Sequence, residues 1–286
     1  MEVNWQGPYS VTLNYMEREV HSSQEARNEY SRSLWSTVDG HGLSQTRAYP
    51  RTIAWFKGAA QVSWLSDGEF IKMIQVRSRS LPTPARCARW AADNGATNGR
   101  TTSPGFCSQS QCGANAPANL GHISQVSRVT HRLRGKRHDN IASYIAKGLT
   151  ESGWRVREEP RLINVNGSGG WLKPDLIVSR GNRGLFRDVQ VSSDGFTMEE
   201  PYLAKRRKYA DPGYANAIAE TIVFEIGERD IHGLILNWRG DWYVKSWELL
   251  RELGLTSGKR IVCSVKAITW TYCMFKSYTQ TGACPV

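Results

Sequence analysis

The chain has 286 residues, and 37 Lys and Arg against 26 Asp and Glu give it a net charge of +11. That length builds one or two domains with their own cores, and the basic balance favours a polyanionic partner, nucleic acid before a membrane surface. No segment approaches the roughly 20 apolar residues of a membrane span, and the polar N-terminus lacks a signal-peptide core, so an intracellular protein with its six cysteines mostly reduced is expected.

Residues 1–30 carry no clear pattern. Asn28 to Arg86 predicts mostly helix. Leu34, Trp35 and Val38 form one apolar stripe, and Phe70, Ile71, Ile74 and Val76 to Leu81 form another, stopped by Leu81-Pro82-Thr83-Pro84. Residues 88–119, rich in Ala, Asn, Gly, Ser and Pro, predict a loop or linker. The next stretch is strongly basic, with Arg128, His131, Arg132, Arg134, Lys136 and Arg137 close together. Asp139 reads as the N-cap of a helix that carries Ile141, Tyr144, Ile145 and Leu149 on one face and ends at Gly153. His138 at such a helix start is placed to meet a phosphate, against the plainer reading of a surface histidine beside a cap.

Strands follow at Trp154–Glu158 and Arg161–Val165, then a turn at Gly167–Gly170 and a hairpin from Leu172 to Val191. A helix over Met198–Tyr209 comes next, then strands Thr221–Ile226 and Gly233–Asn237. Helices over Val244–Leu253 and Lys259–Phe275 close the chain, before a polar tail, Ser277–Val286, that is expected to fray. Cys263, Cys273 and Cys284 have no metal-ligand spacing and read as packing or surface residues. The order predicts an α/β layer with a mixed sheet flanked by helices. No P-loop, dinucleotide fingerprint or Ser-His-Asp pattern stands out.

The hairpin carries the chemistry. With a turn centred on Gly181-Asn182, Arg180 faces Arg183, and counting outward sets Asp175 opposite Asp188. Directly opposed side chains have Cβ atoms roughly 5 Å apart. Two carboxylates that close repel unless a cation or proton lies between them, and their hard oxygens suit Mg²⁺ or Mn²⁺. A one-residue slip would put one Asp on the other face. Metal-held carboxylates suit phosphodiester hydrolysis, in which a nearby lysine orients water or stabilises charge. Many nucleases place that lysine two residues after the second acid, where this chain has Gln190. The nearest replacements are Lys205 and Lys208, on one face of the following helix. Arg206 and Arg207 beside them read as phosphate contacts. Cys107 and Cys112, with His122 as a third ligand, have spacing compatible with half a zinc site; a pair of plain loop cysteines is the competing reading.

Five runs then resemble a family: LGHISQVSRVTH, KRHDNIASYIAKGL, LKPDLIV, RDVQV and LAKRRKYAD. In this order they look like the C-terminal part of type-1, R-two clade non-LTR retrotransposon polyproteins, which insert into ribosomal RNA genes. The earlier SLWSTVDGHGL and FIKMIQVRSRSLPTPAR resemble the linker between reverse transcriptase and endonuclease, and LILNWRGDW and SVKAI the region after the nuclease core. The resemblance implies a PD-(D/E)xK restriction-like endonuclease, with Asp175 and Asp188 as the Mg²⁺ or Mn²⁺ ligands, Lys205 or Lys208 as the displaced lysine, and Lys173 and His138 as accessory groups. It also implies a zinc knuckle on Cys107, Cys112 and His122. The fourth family cysteine falls at Ser127, a poor zinc ligand, which leaves His131 or Cys87 as substitutes.

The domain layout implied is a mainly helical linker over 1–105, a knuckle-like segment over 106–133, a nuclease core over 134–226, and closing strands and helices over 227–286. The expected function is metal-dependent nicking of target DNA in the nucleus, with element RNA as a further partner, from a portion that lacks a YADD-like polymerase motif. A non-catalytic nucleic-acid-binding remnant and a resolvase-like cellular nuclease are the alternatives.

Overall fold

The computed structural model describes residues 3–5, 11–13, 18–20, 22–36, 55–56, 65–93, 105–107, 112, 116–163, 171–194, 197–210 and 231–280. The expected turn at Gly167–Gly170, the strand Thr221–Ile226, and Val38 and Cys284 lie outside them.

Three short strands, β1 (Val3–Trp5), β2 (Val11–Leu13) and β3 (Arg18–Val20), form an antiparallel sheet in order. The sequence did not announce them, because a strand of this length offers too few residues for alternation to show. Helix α1 (Ser23–Ser36) starts earlier than expected, with the Ser22 hydroxyl accepting from the Glu25 N–H at 3.1 Å. Helix α2 (Asp67–Arg77) opens on a reciprocal capping box between Ser66 and Glu69. Helix α3 (Pro84–Asp93) begins on proline, whose missing N–H costs nothing in a first turn. It carries residues 88–93, expected as loop, into helix because Ala88, Ala91 and Ala92 favour it.

Helix α4 (Leu120–Gln125) and a 3₁₀ turn at Arg128–Thr130 lead into the long α5 (His131–Glu151). Asp139 is therefore not an N-cap, and His138 is not at a helix start. The Arg- and Lys-rich run is good helix-forming sequence and simply continues the helix. The Asp139 carboxylate, solvent-facing, bonds His138 Nδ1 at 3.0 Å. Ser152 caps the C-terminus and Gly153 follows, as expected.

The principal sheet holds β4 (Arg155–Glu158), β7 (Leu176–Arg180), β8 (Arg183–Ser192) and β9 (Ile231–Asn237), in that spatial order. β4–β7 and β7–β8 are antiparallel and β8–β9 is parallel, so the sheet is mixed. A two-residue pair, β5 (Leu162–Ile163) with β6 (Trp171–Leu172), stands apart. Helix α6 (Glu199–Ala210) packs on β9, and α7 (Val244–Glu252) and α8 (Ser257–Gln280) complete the layers.

One core joins Ile141, Ile145 and Leu149 of α5 to Leu176, Val178, Leu185 and Val189 of the sheet and to Trp247, Cys263 and Ala267. A second joins Met73 and Val76 of α2, Cys107, Ile123, Trp238 and the outer face of α8. Regions read separately in the sequence, α2, Cys107 and α8, thus share the second core. The expected frayed tail is partly helix: Tyr278 is fully buried in that second core, three and four residues beyond Phe275 and Met274 on the same face. Cys263 is buried and Cys273 exposed. No described helix is long and apolar enough to cross a membrane.

Two ion clusters tie α2 to the end of the sheet. Arg77 Nη1 donates to Asp241 Oδ1 at 2.6 Å and to the Arg239 carbonyl at 2.6 Å. The Arg79 guanidinium donates to both Asp194 oxygens at 2.7 Å, and Arg239 Nε reaches Asp194 Oδ2 at 2.6 Å.

Candidate active site

The hairpin pairs as the turn count predicts, with Arg180 opposite Arg183 and Leu176 opposite Arg187. Gly181 takes φ +60°, a conformation a tight turn requires and other residues resist. Asp175 sits one residue outside β7, in line with Asp188 on β8. Its Oδ2 accepts from the Val189 N–H at 2.6 Å, and the two carboxyl groups lie within hydrogen-bonding reach of each other.

Four elements converge on this pair. His138, on α5, places Nε2 2.9 Å from Asp175 Oδ2 and 3.1 Å from the Val189 carbonyl oxygen. Lys205, on α6, donates to Asp188 Oδ1 at 2.8 Å. Tyr209, one helical turn further, donates its hydroxyl to Asp188 Oδ2. Helix α6 lies close because Gly233 of β9, paired with Asp188 in register, has no side chain: a Cβ there would meet Ile235 Cδ1 at 2.9 Å and Lys205 Cβ at 3.4 Å. The result is a cleft of about 430 Å³ lined by Asp175, Asp188 and Gln190 on the sheet side and by Arg134, Lys173, Lys205 and Lys208 around them.

The electrostatics follow from burial and crowding. Burial raises the Asp188 pKa, Asp175 adds to that, and Lys205 opposes both. Burial also works against ionised Asp175, but hydrogen bonds from His138, Asp188 and the Val189 N–H outweigh it, and its pKa is lowered. His138 is pushed up to about 9, chiefly by its hydrogen bond to Asp175, against the effect of its own burial. Two carboxylates pushed apart in pKa, with cations around them, form an anionic point in a basic frame.

The other expected residues distribute as follows. Lys173 is exposed at the cleft mouth and pairs with Glu159. Lys208 is exposed, with Nζ 3.3 Å from the Tyr209 hydroxyl. Arg128, Arg132, Lys136 and Arg207 are exposed, and Arg206 is half-buried. Arg134 reaches back to the Ser127 carbonyl at 2.7 Å. Arg137, expected at a phosphate, lines the cleft but is only 2% exposed. It is spaced four residues from Ile141 and so falls on the inward stripe, where it donates to Thr271 Oγ1 at 3.4 Å and Gln125 Oε1 at 3.4 Å. Burial first, then Arg134, lowers its pKa to about 9.

Cys107, Cys112 and His122 do come together, their ligand atoms all within 4.8 Å of one another. His122 Nε2 is buried with no hydrogen-bond partner, and burial followed by Arg134 lowers its pKa, so the ring is neutral and able to ligate. Ser127 is fully buried with its hydroxyl 4.0 Å from Cys112 Sγ. Three donors of a kind that zinc takes are thus gathered, and nearby Ser127 offers only a neutral hydroxyl. His131 is exposed and engaged with Arg134 at 3.2 Å, Cys87 is exposed, and neither belongs to the cluster.

Three contributors escaped the sequence reading. Tyr209 was read only as the end of a helix, although its four-residue spacing from Lys205 puts both on one face. Gly233 looked like an ordinary strand residue. Gln125 lines the cleft and donates to the Ser192 carbonyl at 3.2 Å.

No family profile matches the chain. It is 27% identical over 267 residues, 91% of its length, to a Pol polyprotein from a type-1 retrotransposable element R2 of Nasonia vitripennis. It is 29% identical over 242 residues, 84% of its length, to the corresponding polyprotein from type-2 element R2DM of Drosophila melanogaster. A Popillia japonica type-1 R2 polyprotein is 26% identical over 237 residues, 82% of the chain. The chain spans 24%, 21% and 45% of these three relatives. Over most of its length it is thus homologous to part of the R2-type Pol polyproteins.

Proposed function

We propose that this chain, homologous to part of the R2-type polyproteins, is a metal-dependent DNA endonuclease of the PD-(D/E)xK kind that nicks one strand of target DNA for target-primed insertion, acting in the nucleus. The observation that carries the reading is the meeting of Asp175, Asp188 and Lys205 in one basic cleft.

The donor set fits Mg²⁺ or Mn²⁺: Asp175 and Asp188 are hard oxygen donors held within reach of each other, where two anions need a cation between them. A divalent ion held there would supply Lewis-acid activation of water and charge neutralisation on the phosphate. The chain's own groups do the rest. Lys205, at the carboxylate pair, is placed to stabilise charge that develops on the scissile phosphate. Arg134, Lys173 and Lys208 frame the cleft and hold the phosphates on either side. His138 bridges Asp175 and the Val189 carbonyl and fixes the first acid in place.

Nicking of supercoiled plasmid with Mg²⁺ and with EDTA tests this. Asp175→Ala and Asp188→Ala are each expected to abolish nicking and leave DNA binding intact. Lys205→Ala should slow nicking by roughly 10²–10³-fold, the usual loss when one charge-stabilising donor is removed. Full cleavage by either Asp variant refutes the assignment. Binding without metal-dependent nicking by the parent chain would favour a nucleic-acid-binding remnant, the reading that Gln190 at the usual lysine position supports. Preference for branched over linear DNA would favour a resolvase-like nuclease.

A further inference from the structure

Helix α6 delivers two donors, not one, to Asp188. Lys205 takes Oδ1 at 2.8 Å and the Tyr209 hydroxyl takes Oδ2. The tyrosine is 1% exposed and its ring packs on Phe186 with centroids 5.8 Å apart, so the phenol has no freedom to swing away. Its oxygen accepts in turn from Lys208 Nζ at 3.3 Å, and that ammonium also lies 4.8 Å from the ring centroid. A chain of contacts thus runs from an exposed lysine through a buried phenol to a buried carboxylate.

We propose that Tyr209, backed by Lys208, is a positioning residue that locks the rotation of the Asp188 carboxylate so that it is presented to a divalent cation; the inference rests on the nuclease reading above. The lysines then divide their work. Both line the cleft, but Lys205 touches the carboxylate directly, while Lys208 reaches it through the phenol. A hydroxyl hydrogen bond to a ligating carboxylate favours its ionised, ligand-competent form and removes the entropy of a free rotor.

The test is Tyr209→Phe, which removes the hydroxyl and keeps the ring on Phe186. Mn²⁺ binding to the metal-free chain, followed by electron paramagnetic resonance, should weaken roughly ten- to hundredfold, the usual cost of losing an outer hydrogen bond to a metal ligand. The Mg²⁺ concentration for half-maximal nicking should rise in step, while the rate at saturating Mg²⁺ falls much less. A merely structural role would not separate these two quantities. Mn²⁺ affinity within about twofold of the parent overturns the inference, and Asp188→Ala, which must lose the ion, shows whether the nuclease reading survives it. If the parent binds no Mn²⁺ and does not nick, both fall together. Should the Phe variant fail to fold, Lys208→Gln at its exposed position replaces it: weaker Mn²⁺ binding supports the relay, and unchanged binding overturns it.

Discussion

Asp194→Ala tests how the region before the four-stranded sheet is fastened to it. The Asp194 carboxylate is 2% exposed and serves Arg79 through both oxygens, Arg239 through Nε, and the Trp238 indole at 3.1 Å. Arg239 is fully buried, and burial, only partly offset by Asp194 and Asp241, lowers its pKa to about 10. The substitution takes the shared carboxylate from two guanidiniums and leaves positive charge in a dry site. Breaking a buried pair by removing one partner costs about 3–5 kcal/mol. The lower end applies, since Arg239 keeps Asp241 nearby and donates to the Arg77 carbonyl. For a chain of this size about 3 kcal/mol corresponds to a fall in Tm of roughly 6–12 °C. Asp194→Asn retains hydrogen-bonding oxygen without charge and should lose less. Differential scanning calorimetry measures both. A fall of under about 2 °C for Asp194→Ala would refute the reasoning, because the cluster would then contribute no more than an exposed ion pair.

DNA binding should weaken steeply with salt, with a slope of about 0.9 per phosphate contacted; replacing exposed Arg128, Arg132 and Lys136 together should flatten it, while fluorescence anisotropy showing no salt dependence would count against a basic binding face. The knuckle-like cluster should hold clearly less than one equivalent of zinc by elemental analysis, and Ser127→Cys should raise it; tightly held stoichiometric zinc in the parent chain would contradict the geometry of a neutral fourth donor. His138 gives a pH dependence. Its folded pKa, about 9, exceeds the ordinary 6.5, so its stabilisation is complete below about 6.5 and is lost as pH rises through 9. In EDTA, the parent should therefore lose more melting temperature between pH 6 and pH 9.5 than His138→Gln, by an amount equivalent to at most about 3 kcal/mol; parallel curves would refute it.

The register of the hairpin was legible because its signals are local: a Gly-Asn turn between β-branched runs fixes every pair by counting. Helix α6 was legible for the same reason, as was the stripe of α5; on α2 the expected Ile71 and Ile74 are exposed, and Met73 and Val76 face the core. What stayed hidden depends on where elements dock. Arg137 and Arg134 look alike in a basic run and both line the cleft, yet Arg137 is sunk into its wall and Arg134 is only half-buried. The four-residue spacing from Arg137 to Ile141 and Ile145 was the available sign. Asp139 carries the residue type of a cap, but nothing in the preceding run breaks the helix. Tyr209 became a site residue only when α6 was seen to cross β9 over Gly233. Cys107, Cys112 and His122 announced themselves by spacing, the resemblance put Ser127 in fourth place, and packing sets its hydroxyl 4.0 Å from Cys112 Sγ.

The order in which the sheet is threaded has a consequence for synthesis. The cleft residues, Gln125 through Lys208, all leave the ribosome before β9 and before α8, which packs along α5. Among the described strands β9 alone covers that edge of β8, the strand bearing Asp188, so the edge is unpaired by them until β9 arrives. At about 5–20 residues per second the interval lasts on the order of seconds. Nascent chains on neighbouring ribosomes of one message could pair through it, and a pause between codons 210 and 231 would lengthen the exposure. The yield of folded protein is then set by elongation speed over that stretch as much as by the stability of the finished fold.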